Sequence, residues 1–163
     1  MERHDENLHT MRRLLWKWGN TLHYVRRKEA EISNLRGLID DVYDTLGATW
    51  PNGQPKASGI AKPVERAVES AQRRVSEYER AIGLIETAIA DALRLKAVLD
   101  GFVDALPDEL DRKIIALRYV DGHKWDYISL KLYLAVSTIR DRERATVQCL
   151  CGESEVRRFS AFV

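Results

Sequence analysis

Between Val136 and Leu150 the chain reads VSTIRDRERATVQCL, with Arg140, Arg142 and Arg144 alternating with Asp141 and Glu143. On a helix, residues three and four apart are neighbours, so such charges can pair with one another along a solvated face. The same arginines can also reach outward. A guanidinium is a rigid fork of donors that matches two acceptors on a guanine edge or the oxygens of a phosphate. An aspartate beside it can accept from a cytosine amino group and repels phosphate, which favours selectivity over affinity. The choice between a solvated face and a recognition surface turns on the elements in front of it.

Pro107-Asp108-Glu109 reads as a helix start, with acids against the positive helix end. Leu110, Ile114 and Leu117 share one apolar face, with Ile115 and Tyr119 beside it, and Asp121-Gly122 ends the helix. Trp125, Ile128 and Leu132 line the next helix, Tyr133-Leu134-Ala135 is a tight connection, and a last helix runs from about Val136 to Leu150 with Ile139, Val147 and Leu150 inward. Two short helices crossing over a tight turn, steadied by a helix in front, predict a helix-turn-helix module whose second helix enters the major groove of double-stranded DNA by its first residues. With Ile139 inward, Val136, Ser137, Arg140, Asp141 and Arg144 are the expected base-reading positions. Lys124, Lys131, Thr138 and Arg142 are better placed for phosphates, which set register without reading sequence. Trp125 is expected in the core rather than as a stacking platform.

The upstream chain must position this module. A helix is expected from about Asn7 to Leu46, with Leu8, Met11, Leu15, Trp18, Leu22 and Val25 on one stripe and Ile32, Leu35, Ile39, Val42 and Leu46 continuing it. Gly19 and Gly37 mark candidate bends. A loop over 47–62 follows, rich in Pro, Gly, Asn and Ser. A second helix, Pro63 to about Phe102, carries Val64, Val68, Ala71, Val75, Tyr78, Ile82, Ile85, Ile89 and Ala92 in four-three spacing, the pattern of a coiled-coil seam. The first helix, packed antiparallel, is the simplest partner for that seam, and a second copy of the chain (a homodimer) is the competing one. The expected organisation is all-α: a coiled-coil arm over 1–103, a DNA-binding domain over 104–151 and a tail over 152–163.

The segments LPDELDRKIIALRYVDGHKWDYI and STIRDRERA resemble the C-terminal region of phage-encoded late-gene transcriptional regulators of the RinA/ArpU type and, more broadly, are similar to region four of bacterial sigma factors. The loop PNGQPKASG followed by KPVERAVE extends the resemblance to roughly Ile32–Leu150. Arg118, Tyr119 and Gly122 match the Arg-Tyr pair and turn glycine, Trp125 and Ile128 the core of the first motif helix, and Ser137, Thr138, Ile139 and Arg140 the start of the recognition helix. The resemblance implies an activator of late or packaging genes working beside host RNA polymerase. The chain departs from the pattern at Ser129 (usually Ala), Tyr133 (Gly), Ala135 (a capping Ser) and Arg142 (apolar). Tyr133 is expected to alter the bend, because glycine adopts positive φ freely there.

Composition limits the alternatives. Charged residues make up 31% and hydrophobic residues 45%, so a helical core is affordable while the whole-chain field is weak at a net charge of +1. Any nucleic-acid footprint is therefore local. No run is apolar enough to span a membrane, and Met1-Glu2-Arg3-His4-Asp5 lacks a signal-peptide core, so a cytoplasmic location is expected. Cys149, Cys151 and the scattered His4, His9, His23 and His123 do not have the clustering of a metal site. No cofactor is expected, and no phosphate loop or nucleophile–base set points to an enzyme. Two other readings compete with an autonomous DNA-binding regulator. One is a sigma-like adaptor that binds DNA only while held on polymerase, and the other is a coiled-coil interaction protein with no DNA function.

Overall fold

A computed structural model describes residues 2–49 and 61–152. Among them there is no β-strand: six α-helices and one π-helical turn account for the ordered elements. These are α1 (Glu2–Gly19), α2 (Thr21–Thr49), α3 (Ala61–Asp104), α4 (Glu109–Ile115), the π turn (Ala116–Val120), α5 (Trp125–Leu132) and α6 (Val136–Gly152). The all-α class read from the sequence is the class observed.

The expected boundaries shift in three places. The first long helix is two helices, because at Asn20 the side-chain Nδ2 donates to Trp16 O (2.8 Å) and Thr21 Oγ1 donates to Lys17 O (2.9 Å). Side-chain donors that bond backbone carbonyls locally offer the chain an alternative to regular helix. The inward stripe loses phase at this point: Leu8, Met11, Leu15 and Trp18 are buried together with Leu14, whereas Leu22, expected inward, is exposed and Thr21 is buried in its place. Gly37, the other candidate bend, lies within continuous helix. The loop is shorter than expected, since residues 47–49 belong to α2 and 61–62 to α3; the rest of it, and the tail beyond Gly152, lie outside the described residues. Finally, α3 runs through Gly101 to Asp104 instead of ending near Phe102.

The chain divides into two compact units, and the division is not the expected one at residue 103. One unit is Val25–Ile89, and the other joins Met1–Tyr24 to Ala90–Val163. The start of the chain thus belongs with the C-terminal module. The reason is apolar: Leu8, Met11, Leu14, Leu15 and Trp18 of α1 share one core with Leu95, Leu99 and Val103 of α3, Ile115 and Tyr119, and Val147 and Leu150 of α6. Burying an aliphatic side chain of this size is worth about 1.5–3 kcal/mol, so this many contacts outweigh continuity along the sequence.

Within Val25–Ile89, α2 and α3 pack on each other as an antiparallel pair. Val42 clusters with Ala71 and Val75, flanked by Ile39, Leu46 and Tyr78, and Arg36 meets Glu86 at 3.6 Å. The higher-numbered residues of α2 thus face the lower-numbered residues of α3. The heptad seam of α3 finds its partner within the chain, with Ala71, Val75 and Ile85 buried and Val68, Ile82 and Ile89 half-buried.

Gly19 has a different task from Gly37. A Cβ on Gly19 would lie 1.8 Å from Tyr119 O and 2.5 Å from Tyr119 C, both backbone atoms, whereas one on Gly37 meets nothing within 4 Å. Gly19→Ala is therefore expected to destabilise the fold by at least about 2 kcal/mol, as overpacking against backbone does. Gly37→Ala is expected to stabilise it by about 0.5–1 kcal/mol through helix propensity. Urea unfolding of the two variants checks the opposite signs.

Candidate nucleic-acid interface

The C-terminal module grows from a capped start. Asp108 adopts an extended conformation and its Oδ1 accepts from Leu110 N at 2.8 Å, which opens α4 as the sequence predicts. The helix then widens into the π turn, where Asp121 N donates to Ala116 O at 3.0 Å across five residues, and Gly122 turns the chain at φ +70. The two faces of this segment serve two cores. Ile114 and Leu117 join Ile128 and Ile139, with Leu110, Trp125, Leu132 and Leu134 packed around them, while Ile115 and Tyr119 point into the core shared with α1. The first set is the helix-turn-helix core read from the sequence, and Trp125 sits half-buried against it.

The turn between α5 and α6 forms without glycine. Tyr133 takes the left-handed conformation at φ 55, ψ 39, with its side chain 93% exposed. A non-glycine residue there costs about 1–2 kcal/mol. Two bonds offset it: Ser129 Oγ donates to Leu134 O at 2.6 Å, and Leu134 N donates to Ser129 O at 3.2 Å. The departure at Ser129 thus supports the departure at Tyr133. Tyr133 thus adopts the positive φ that glycine takes freely, with its ring in solvent rather than in the turn. At the other departure, Ala135, the backbone carbonyl accepts the first helical bond from Ile139 N at 3.1 Å, and α6 begins at Val136.

Helix α6 presents the anticipated face. Ile139, Val147 and Leu150 are fully buried, and Ser137, Arg140, Asp141 and Arg144 are exposed on the opposite side together with Thr138; Val136 is half-buried. Lys124 and Lys131 are exposed at the two ends of α5, with Lys131 Nζ 5.8 Å from the Tyr127 ring centre. Arg142 is placed differently from its expected phosphate role. Its Nε donates to Asp111 Oδ1 at 2.6 Å and its Nη2 to Asp108 Oδ2, so it ties α6 to the start of α4. The ion pairs replace the apolar contact suggested by the resemblance, and the bound carboxylates hold the guanidinium pKa above its ordinary value. Among the described residues, neither Arg140 nor Arg144 has an ion-pair partner within 4.0 Å.

Sequence reasoning passed over Glu143, which is 2% exposed. Arg12 of α1 grips it with two bonds, Nε to Oε1 at 2.9 Å and Nη2 to Oε2 at 2.8 Å, and Tyr119 Oη donates to Oε1 at 2.5 Å. Burial and the bond to Glu143 push the Tyr119 hydroxyl pKa far up, so it remains a donor, while the bonds to Glu143 raise that of Arg12. The signal was present: Glu143 follows Ile139 by one turn and precedes Val147 by one, an inward position on the wheel. Its two partners lie far away in sequence and could not be paired with it there. A fifth arginine, Arg118, is held between two indoles, its guanidinium carbon 5.1 Å from the Trp16 ring centre and 4.6 Å from that of Trp125, and its Nη1 donates to His123 O at 2.8 Å.

No protein-family model, curated protein or solved structure matches the chain. Among the described residues, no helix is long and apolar enough to cross a membrane, and no group of His, Cys, Asp and Glu is placed to hold a metal ion.

Two outcomes are expected from these contacts. Arg12→Ala strands a buried carboxylate and should cost about 3 kcal/mol, whereas Glu143→Gln, which leaves Arg12 free to turn to water, should cost about 1–2 kcal/mol; urea denaturation gives the ranking. The second concerns acid. The Leu110 amide and then Arg142 hold the Asp108 pKa below its ordinary value. At Asp100 burial pushes the pKa up, but the bonds from Lys96 and Trp18 outweigh it and the net shift is also downward. A depressed carboxylate contributes stability in full above its unfolded value near 3.9 and loses it as pH falls through the folded value. Thermal melting should therefore be flat above about pH 5 and fall below about pH 4, with Asp108→Asn showing a smaller fall.

Proposed function

We propose that the chain is a sequence-specific DNA-binding transcriptional regulator, reading double-stranded DNA through α6. The observation that carries this is the state of the α6 arginines. Arg142 and the buried Glu143 are consumed by the fold, whereas Arg140 and Arg144 extend from the exposed face without carboxylate partners among the described residues. In a solvated face of alternating charge, the exposed arginines would pair with the acids beside them. Here they flank Asp141 and Ser137 on the helix that follows a tight turn, the place from which a recognition helix contacts base edges.

In this reading Ser137, Arg140, Asp141 and Arg144 supply choice, with the half-buried Val136 at their edge, and Lys124, Lys131 and Thr138 supply salt-sensitive affinity. Arg142 serves as the strap that sets the rotation of α6. The resemblance to phage late-gene regulators supports an activity beside the RNA polymerase of a bacterial host, with the α2–α3 pair offered to a second copy or to polymerase. A second reading, an adaptor that touches DNA only while held on polymerase, is favoured by the net charge of +1 and by Tyr127, Leu130 and Tyr133, exposed on α5 and its turn.

Selection of bound duplexes from a random pool, with the full chain and an Arg140→Ala/Arg144→Ala variant, tests the proposal. An enriched motif that the variant loses is the expected result. A pool that stays random with the folded wild-type chain overturns autonomous reading and moves the function to the polymerase-held adaptor.

A further inference from the structure

Beside the reading face of α6 lies an open groove of about 480 Å³, and α1 forms one of its walls. Trp16 of α1, Arg118 of the π turn and Trp125 at the start of α5 line it, and Arg140 and Arg144 rise from α6 at its rim. Its charge is lopsided. Of the two carboxylates that line it, Glu143 is buried and satisfied by Arg12 and Tyr119, and Asp141 stands on the exposed face. Three guanidiniums, those of Arg118, Arg140 and Arg144, therefore face one concavity with no ion-pair partner among the described residues.

Arg118 is the distinctive member. An exposed arginine loses rotamer freedom when it binds, at about 0.5–1.5 kcal/mol for an immobilised side chain. Arg118 has already lost that freedom, held between the Trp16 and Trp125 rings and anchored through Nη1 to His123 O. Indole faces attract the cation without neutralising it, so the fork keeps its charge. Trp16, 36% exposed, meets Tyr119 edge-on at 5.3 Å, and Tyr119 is locked to Glu143, so the wall itself is fixed. A rigid, unneutralised guanidinium flanked by two more arginines suits a phosphate ester, whose oxygens accept paired donors.

We propose that this groove holds a backbone phosphate of the DNA read by α6, with Arg118 as the anchor, so that the N-terminal helix α1 is part of the DNA interface. The proposal rests on the DNA-binding reading above and assigns it residues that the exposed face of α6 does not contain. Arg118 acts on the backbone and not on bases, so its contribution is the same on every sequence.

The test is the salt dependence of binding by the full chain to a short duplex of mixed sequence. Each phosphate contact contributes about 0.9 to the slope of log K against log salt. Arg118→Gln is expected to lower the slope by about one and to weaken binding about tenfold near 0.1 M salt, with the sequence preference unchanged; Arg118→Lys, which restores the charge, recovers the slope. An Arg118→Gln variant with wild-type melting temperature and wild-type slope overturns the proposal. Tryptophan fluorescence with thymidine monophosphate separates the sources of phosphate: saturation by the free nucleotide at concentrations below those needed for duplex overturns the DNA-backbone occupant. If random-pool selection enriches no motif while the Arg118-dependent slope persists, sequence reading fails and the phosphate site stands. If no duplex binds at any salt, both fall.

Discussion

A carboxylate on the inner side of a helix is tolerable only if donors converge on it, because an unpaired buried charge costs several kcal/mol. Glu143 meets that condition with Arg12 from the start of the chain and Tyr119 from the π turn, which bind it in three hydrogen bonds. The three residues come from elements remote in sequence, so the arrangement exists only when α1, the π turn and α6 are all in place. The same elements bring Leu8, Leu15, Ile115, Val147 and Leu150 into one core, whose burial supplies the driving force, while the ionic cluster adds directional contacts. Turning α6 about its axis would expose Ile139, Val147 and Leu150 and also break these ionic contacts. The forked contact of Arg12 with Glu143 and the strap from Arg142 to Asp108 and Asp111 grip it from two sides.

That double grip explains how a helix crowded with charge keeps a defined outer face. Arg142 and Glu143 are spent on position, and Ser137, Arg140, Asp141 and Arg144 are among the residues that project from α6. The same economy shows at the turn, where the hydroxyl of Ser129 holds a left-handed Tyr133 that most chains would avoid. It shows again at Gly19, which lets α1 approach the backbone of Tyr119 more closely than any side chain allows. Near-neutral overall charge is no obstacle to a local cationic surface once the acids are sequestered by partners.

Much of this was legible before any coordinates. The period of Leu110, Ile114 and Leu117, the turn at Asp121-Gly122 and the spacing of Trp125, Ile128 and Leu132 specify the helix-turn-helix core, because they are local patterns matched to local geometry. The helix start at Pro107-Asp108-Glu109 and the heptad seam of α3 were equally local and equally clear. The partner of that seam was open between α2 and a second copy, since a periodic stripe states what must be covered and not by what.

The sequence by itself determined the all-α class, the helices and inward faces of the C-terminal module and the exposure of Ser137, Arg140, Asp141 and Arg144, but not the break at Asn20 or the outward turn of Leu22. Only the tertiary structure decided that α1 belongs with α6, that Arg142 is a strap and Glu143 a buried anchor, and that Arg118 stands between two tryptophans. The physical reason is range. Helix periodicity and capping are encoded within a few residues, whereas the pairing of Arg12 with Glu143, or of Trp16 with Arg118, depends on which apolar faces meet, and that is settled by the whole core at once. A charged residue has no fixed role in a sequence, because the same arginine is a solvated surface group, a strap or a ligand-binding arm according to what folds against it.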